Sequence, residues 1–176
     1  MLPCARLQVG HTDYVTAVAY LPPGACDAYP HGVAVTGSRD ASLAAWDLES
    51  GAQLQRLAGH QYQVTAVLVD QRSGDIISGS LDKTIRVWRG GSCVLVLEGH
   101  EAAVLCLLQL PNGDIVSGSG DCTIRVWAEG KCKATIPAHS DSVRGLALLP
   151  GVGVVSASHD HTLKVGPPPM YAVGGV

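Results

Sequence analysis

The stretch "SGSLDKTIRVW" at residues 78–88 is repeated as "SGSGDCTIRVW" at residues 117–127. Two more divergent copies flank this pair, "TGSRDASLAAW" at 36–46 and "SASHDHTLKVG" at 156–166. Each copy begins with a hydroxyl residue and has Asp four residues later, and the first three copies end in Trp. Gly166 replaces this Trp in the fourth copy. The chain therefore contains four versions of one structural unit.

A Gly-His pair precedes each of the first three copies, and an Ala-His pair precedes the fourth. The pairs are Gly10-His11, Gly59-His60, Gly99-His100 and Ala138-His139. They are 49, 40 and 39 residues apart, and such a period is typical of four-stranded β-propeller blades with a Gly-His…Trp-Asp signature. The first unit is longest because an insertion at 22–32 separates two of its predicted strands, which a surface loop tolerates.

Short β-rich segments alternate with turn residues along the chain, without helical periodicity. We therefore predict an all-β partial β-propeller of about four four-stranded blades arranged in an open arc. The predicted blades lie at about 11–57, 60–97, 100–136 and 139–165. The Pro/Gly-rich tail at 166–176 is predicted to be disordered, because its three consecutive prolines cannot continue a hydrogen-bonded strand.

Residues 3–9 are predicted to form one further strand, which bears on whether the blades close into a ring. With that strand included the chain has about sixteen strands, as in a closed ring of four blades. A four-bladed ring needs a turn of about 90° per blade, whereas a seven-bladed ring needs about 51°. Because side chains that fit one angle leave voids at the other, we predict that the arc stays open.

The composition is that of a globular domain. Hydrophobic residues make up 47% of the 176 residues and charged residues only 15%, which argues against wholesale disorder. The formal charge is −3 without a cluster of Lys or Arg, so we expect neither nucleic acid nor membrane as a partner. No apolar run approaches the ~18 residues of a membrane span, and no secretory signal is visible at the start.

The six cysteines contain no C-x-x-C pair, so the sequence predicts no structural metal, and we expect no cofactor. Cys93 and Cys132 each lie five residues after a repeat Trp, and this shared position predicts small buried side chains. Reduced thiols are typical of intracellular proteins, and we expect a cytoplasmic and nuclear location.

A chain of hydrogen bonds within each blade would account for the recurring polar residues. The Trp N–H donates to the hydroxyl, the hydroxyl to the imidazole and the imidazole to the carboxylate. The predicted relays are His11/Thr36/Asp40/Trp46, His60/Ser78/Asp82/Trp88, His100/Ser117/Asp121/Trp127 and His139/Ser156/Asp160. A hydrolase triad also combines His, Ser and Asp, but an enzyme needs one such site and not four. We predict no catalytic residue and therefore a protein that is not an enzyme.

These marks, together with the dipeptide Trp46-Asp47, resemble the WD-repeat family over about 165 residues. Four segments resemble the second to fifth propeller repeats of the phospholipase A-2-activating proteins: "AYPHGVAVTGSRD" (28–40), "GHEAAV" (99–104), "GKC" (130–132) and "HSDSVRGLALL" (139–149). Members of that family are ubiquitin-binding adaptors with a propeller, a ubiquitin-binding domain and a helical domain that docks on an AAA ATPase.

The resemblance implies a protein-interaction scaffold that acts in ubiquitin-dependent protein turnover. It also implies that this chain covers only the middle of such a propeller, so that the AAA ATPase would be reached through domains absent from it. Two alternatives remain open at this stage. The chain could be a WD-repeat scaffold of another multiprotein complex, or a truncated product with little independent function.

Three positions in each repeat are predicted to project from the side of the propeller that carries the His and Asp loops, here named the loop face. They are Tyr14, Thr16, Arg39, Gln63, Thr65, Leu81, Ala103, Leu105, Gly120, Ser142, Arg144 and His159. Together they predict a neutral surface with apolar members that suits protein contact. The family resemblance implies that this face receives ubiquitin, and either Leu81 or Leu105 could instead belong to the core.

Overall fold

The computed structural model describes residues 10–166, which form fifteen strands in four sheets. Each sheet is one blade, in which strands that follow one another in the chain pair antiparallel. Among the described residues no helix is long and apolar enough to cross a membrane. Blade one comprises β1 (Val15–Leu21), β2 (Val33–Ser38), β3 (Ser42–Asp47) and β4 (Gln53–Ala58).

The other blades repeat this arrangement. Blade two comprises β5 (Val64–Val69), β6 (Ile76–Ser80), β7 (Ile85–Arg89) and β8 (Ser92–Leu97). Blade three comprises β9 (Val104–Gln109), β10 (Ile115–Ser119), β11 (Thr123–Ala128) and β12 (Lys131–Pro137). Blade four has three strands within the described range, β13 (Val143–Leu149), β14 (Gly153–Ser158) and β15 (Leu163–Gly166). The predicted strand at 3–9 and residues 167–176 of the predicted tail lie outside the described residues. The tail was predicted to begin at residue 166, which is wrong for Gly166, because it is the last residue of β15 and pairs with Val154.

A tight turn joins the second and third strands of each blade, and the S-x-D sequences explain it. In blade two the Ser80 hydroxyl accepts a hydrogen bond from the Asp82 amide at 3.0 Å. The Asp82 carboxylate in turn accepts from the Thr84 amide at 3.0 Å, and Lys83 between them has a φ of 71°. These side-chain hydrogen bonds thus hold Lys83 in a left-handed backbone conformation, which non-glycine residues rarely adopt.

The hydrophobic core lies between the blades. Buried residues of blades one and two form one cluster, those of two and three a second, and those of three and four a third. The inner strand β1 packs on β5, β5 packs on β9, and β9 packs on β13. Each blade therefore draws much of its stability from its neighbours, as in other repeat proteins.

A glycine in the second strand lets successive blades approach closely. A Cβ added at Gly37 would lie 2.5 Å from a methyl carbon of Val64 in the next blade. At Gly79 the corresponding distance to Val104 is 2.6 Å. Real Cβ atoms do not come this close to other atoms, so the packing between blades requires glycine at both positions.

We expect Gly79→Ala to lower the free energy of unfolding by about 2 kcal/mol, because the new methyl group would push β9 away from β6. Gly120→Ala is the matched control, since a Cβ there would have its nearest neighbour at 3.4 Å. The control should change stability by less than about 0.5 kcal/mol. Denaturant titration measures both, and equal losses would contradict this account of blade packing.

Within residues 10–166 the first and last blades do not pack on each other, in agreement with the open arc that the fold class predicts. Packing comparable to that of β1 on β5 is not present between β13 and β1 within residues 10–166. On β1 the side chain of Val18 is 69% exposed, whereas its equivalent in blade two, Val67, is 7% exposed. At the other end Leu163 is 65% exposed, whereas its equivalent Ile85 is fully buried. Blade one has no preceding blade to cover it, and blade four has no following one, among the described residues.

Candidate functional site

The relay predicted for blade two is a continuous chain of short hydrogen bonds. The Trp88 indole N–H donates to the Ser78 hydroxyl at 2.8 Å. The Ser78 Oγ lies 2.8 Å from His60 Nε2, and His60 Nδ1 lies 2.7 Å from an oxygen of Asp82. Because an indole N–H can only donate, the hydroxyl proton goes to Nε2 and the imidazole proton lies on Nδ1.

Blade three repeats this geometry. Trp127 Nε1 lies 2.8 Å from Ser117 Oγ, which lies 2.7 Å from His100 Nε2. His100 Nδ1 is 2.7 Å from a carboxylate oxygen of Asp121. In both blades the indole ring also meets the imidazole edge-on, with ring centres 6.0 Å and 5.9 Å apart.

Blade one has the same contacts with Thr36 as the hydroxyl residue. Trp46 Nε1 donates to Thr36 Oγ1 at 2.9 Å, and His11 Nε2 lies 2.8 Å from the same oxygen. His11 Nδ1 is 3.1 Å from Asp40. The structure therefore brings together all four members of each of the first three predicted sets.

Blade four has the relay without its Trp. His139 Nε2 lies 2.8 Å from Ser156 Oγ, and His139 Nδ1 lies 2.8 Å from Asp160. Gly166, the last residue of β15, pairs with Val154 in the sheet, at the position that Trp occupies in the other blades.

Burial and hydrogen bonding determine the charge of the relay groups. Burial lowers the pKa of His60 and His100 below the usual value, although their aspartate partners act in the opposite direction. Burial alone would raise the pKa of Asp82, but hydrogen bonds from Thr84 and His60 outweigh it and hold that pKa below the usual range. At neutral pH these relays therefore combine a neutral imidazole with an ionised carboxylate.

The relays are positioned to join strands and not to meet a substrate. Ser78 and Ser117 are fully buried, and His60 and His100 are nearly so. Each relay links the loop before a blade to its second and third strands. Among residues 10–166 no three His, Cys, Asp or Glu side chains are arranged to hold a metal ion. The relay residues therefore contribute to stability, and we propose no catalytic role for them.

One backbone hydrogen bond in each blade pairs two of the predicted loop-face positions. The amide of the residue before each turn Asp donates to the carbonyl of the residue before the inner strand. The pairs are Arg39 with Tyr14, Leu81 with Gln63, Gly120 with Ala103, and His159 with Ser142. Eight of the twelve predicted positions are thus held at the same edge of successive blades.

The other four predicted positions differ in what they contact. The hydroxyls of Thr16 and Thr65 donate to carbonyls of the next blade, at Val64 and Val104 respectively. They therefore take part in joining blades. Leu105 and Arg144 occupy the same position in the next two blades; Leu105 is half-buried and Arg144 is exposed.

A groove of about 740 Å³ lies on the loop face between blades one and two. Tyr14, Tyr62 and Leu81 line it, and they are 72%, 62% and 41% exposed. Leu81 thus lies on the surface and not in the core. Tyr62 was not among the predicted positions, although an aromatic residue two positions after the Gly-His pair was a usable signal. The groove brings two exposed aromatic rings and an exposed leucine together.

The prediction that Cys93 and Cys132 are buried is wrong. Both are exposed, because β8 and β12 are the outermost strands of their blades and carry much of their length in solvent. Each of these cysteines pairs with the repeat Trp of the adjacent strand, at the point where the register between the two strands shifts. The position is shared between blades, but no neighbouring element of the described part of the chain covers it.

Four consecutive stretches, residues 3–47, 51–89, 91–128 and 130–165, match the WD40 family, described as WD domain, G-beta repeat. The chain is 38% identical over 103 residues to the phospholipase A-2-activating protein of Xenopus laevis, a match that covers 58% of this chain and 12% of that protein. The chain thus spans only a small part of the length of that relative.

Two crystal structures resemble the fold. The computationally designed Ika4 protein has a TM-score of 0.77 and 31% identity, over 90% of this chain and 94% of that one. The WD40 β-propeller domain of Doa1 has a TM-score of 0.72 and 29% identity, over 86% of this chain and 50% of that one. Together with the repeated relays and the four-stranded blades, these matches show that the chain belongs to the WD40 family.

Proposed function

We propose that this chain is a protein-interaction scaffold of the ubiquitin pathway and binds ubiquitin through its loop face. The observation that carries the proposal is the exposed group of Tyr14, Tyr62 and Leu81 around one groove. Aromatic residues with a neighbouring aliphatic side chain are typical anchors of protein interfaces. The likeness to phospholipase A-2-activating protein supports ubiquitin as the partner.

Charge supports the same partner. Asp13, Glu101 and Asp141 lie in the loops before blades one, three and four, and all three are exposed. Asp13 adjoins Tyr14 at the groove, where Arg39 lies 3.8 Å from it. Glu101 and Asp141 extend the negative charge along the loops of blades three and four, which complements an apolar patch ringed by basic residues, as ubiquitin offers. We further propose that turnover with an AAA ATPase, in the cytoplasm and nucleus, would involve domains outside this chain.

We expect ubiquitin to bind with a dissociation constant of about 10–1,000 μM, as suits a single small apolar patch. In an NMR titration of labelled ubiquitin, the full chain should shift resonances of the apolar patch of ubiquitin. The double variant Tyr62→Asp/Leu81→Asp should abolish these shifts, because it places two carboxylates in the groove.

Val94→Asp is the matched control. Val94 is 51% exposed but lies on β8, the outermost strand of blade two, away from the groove. This variant should leave the shifts unchanged. If the wild-type chain at about millimolar concentration causes no shifts, or if both variants weaken them equally, the proposed ubiquitin site is wrong.

A further inference from the structure

A cavity of about 230 Å³ lies between blades three and four, and we propose that it binds an indole ring. The ring would occupy the place that a Trp side chain fills in the other blades. This inference concerns blade four and does not depend on the ubiquitin site on the loop face.

The register of the sheet places Gly166 at the position of the repeat Trp. Gly166 pairs with Val154 as Trp88 pairs with Ile76, and Trp127 has the equivalent pairing in blade three. Gly166 itself lines the cavity. Among residues 10–166, the nearest atom to a Cβ added there would be the Val154 carbonyl oxygen at 3.9 Å, so this part of the chain leaves the direction of a side chain open.

The walls of the cavity match those that surround an indole ring one blade earlier. The residues of blade two that share a hydrophobic cluster with Trp127 include the aliphatic side chains Ile77, Ile85, Val87 and Leu97. The same four strand positions of blade three line the cavity: Val116, Ile124, Val126 and Ile136. Blade three therefore presents to blade four the surface on which an indole ring packs.

A buried hydroxyl supplies the polar contact. In blades two and three the serine of the relay accepts a hydrogen bond from the indole N–H at 2.8 Å. Ser156 lines the cavity, is 3% exposed and lies 2.8 Å from His139 Nε2. Within residues 10–166 no indole N–H reaches its oxygen, so Ser156 can accept from a donor in the cavity.

Two further residues indicate how the ring would enter. At Gly59 an added Cβ would lie 3.1 Å from the ring of Trp88. Ala138 occupies the equivalent position beside the cavity and has this Cβ. A free ligand can shift away from this methyl group. A Trp side chain at position 166 could not, because it would be attached to the backbone. Lys164 closes one side of the cavity by donating to the Ala138 carbonyl at 2.6 Å.

The dimensions suit a bicyclic heteroaromatic compound. Aliphatic cavities of about 150 Å³ bind benzene, and this cavity is larger and contains a hydrogen-bond acceptor. The shared chemistry is a planar indole ring with a free N–H, which a small molecule or the side chain of a tryptophan could supply.

Titration of the methyl-labelled full chain with three probes tests the proposal by NMR. Indole should bind with a dissociation constant of about 0.1–1 mM and show contacts to the methyl groups of Val126 and Ile136. 1-Methylindole lacks the N–H and should bind about 5-fold more weakly. N-acetyl-tryptophanamide separates the two sources: tighter binding than indole identifies the tryptophan side chain, and weaker binding identifies the free compound.

The double variant Ala138→Gly/Gly166→Trp provides the control, because it restores the residues that blades two and three have at these positions. It should fold, as near-UV circular dichroism would verify, and should not bind indole. The contacts to Val126 and Ile136 in the wild-type chain test the site independently of that variant. No binding at about 10 mM indole, equal affinity for 1-methylindole, or unchanged binding by the folded variant would each overturn the proposal.

Discussion

Replacing Asp82 by alanine is expected to lower the free energy of unfolding by about 3 kcal/mol. The Asp82 carboxylate accepts hydrogen bonds from His60 Nδ1 at 2.7 Å, from the Gln61 amide at 3.1 Å, and from the amide and hydroxyl of Thr84 at 3.0 Å and 2.7 Å. Without the carboxylate, the Nδ1 proton of the buried His60 imidazole loses its acceptor at 2.7 Å, and the Thr84 hydroxyl that remains lies 3.5 Å away. The loop before blade two and the turn after β6 lose their common anchor as well.

Asp47→Ala is the matched control. Asp47 is also an aspartate that accepts hydrogen bonds, among them those from the amide and the hydroxyl of Ser50 at 2.6 Å each. Those bonds lie in an exposed turn outside the relay, so the loss should stay below about 1 kcal/mol. Urea titration at pH 7 compares the two variants. Equal losses would show that the relay contributes no more than a surface turn does.

The second large effect is expected from acid. The pKa of His60 and of His100 is lower in the folded chain than the usual value, mainly because of burial. The folded state therefore binds fewer protons than the unfolded state once the pH falls below about 6.5, and stability decreases from there downward. Each of the two histidines contributes a slope of at most about 1.4 kcal/mol per pH unit.

The aspartates act at lower pH in the same direction. Burial opposes ionisation of Asp40, Asp82 and Asp121, but hydrogen bonds outweigh it and keep each pKa below the usual range. The hydrogen bond from Thr162 does the same for the pKa of Asp160. Their contribution is complete above about pH 4 and is lost as the pH falls through the folded values.

We therefore expect the free energy of unfolding to be nearly constant from pH 8 to 7, to fall below about pH 6.5, and to fall further below pH 4. Urea titrations at half-unit pH intervals measure this profile. His60→Gln removes one of the two imidazoles whose pKa burial lowers, so the slope between pH 6.5 and 5 should decrease by about half. A wild-type chain whose stability is unchanged or greater at pH 5 would contradict these assignments.

Much of the fold and of the relays could be predicted from the sequence, because both depend on contacts within one repeat. The period of the Gly-His pairs predicts the blades, and the position of the hydroxyl, Asp and Trp in each copy predicts the hydrogen bonds. Strand register converts that spacing directly into distance: Ser78 and Trp88 lie on adjacent strands, and their side chains meet at 2.8 Å. A repeated local pattern needs no knowledge of distant residues.

The properties that only the tertiary structure decided are those that depend on neighbouring blades. Thr16 is exposed and lines the groove, as its surface pattern predicts, but only the structure shows that its hydroxyl donates to a carbonyl of blade two. Cys93 has a position that predicts burial, yet none of the strands described between residues 10 and 166 covers the outer strand on which it lies. Tyr62 joins the groove only because blade one brings Tyr14 beside it.

Gly166 shows the same division within one residue. The sequence by itself determined that the fourth copy lacks its Trp, because the other three copies define the position. Only the structure shows that blade three still presents the aliphatic walls and that Ser156 remains buried beside them. A repeat pattern specifies which side chain is missing. Whether a cavity is left in its place depends on residues about forty positions earlier in the chain, which must pack as the neighbours of Trp88 and Trp127 do.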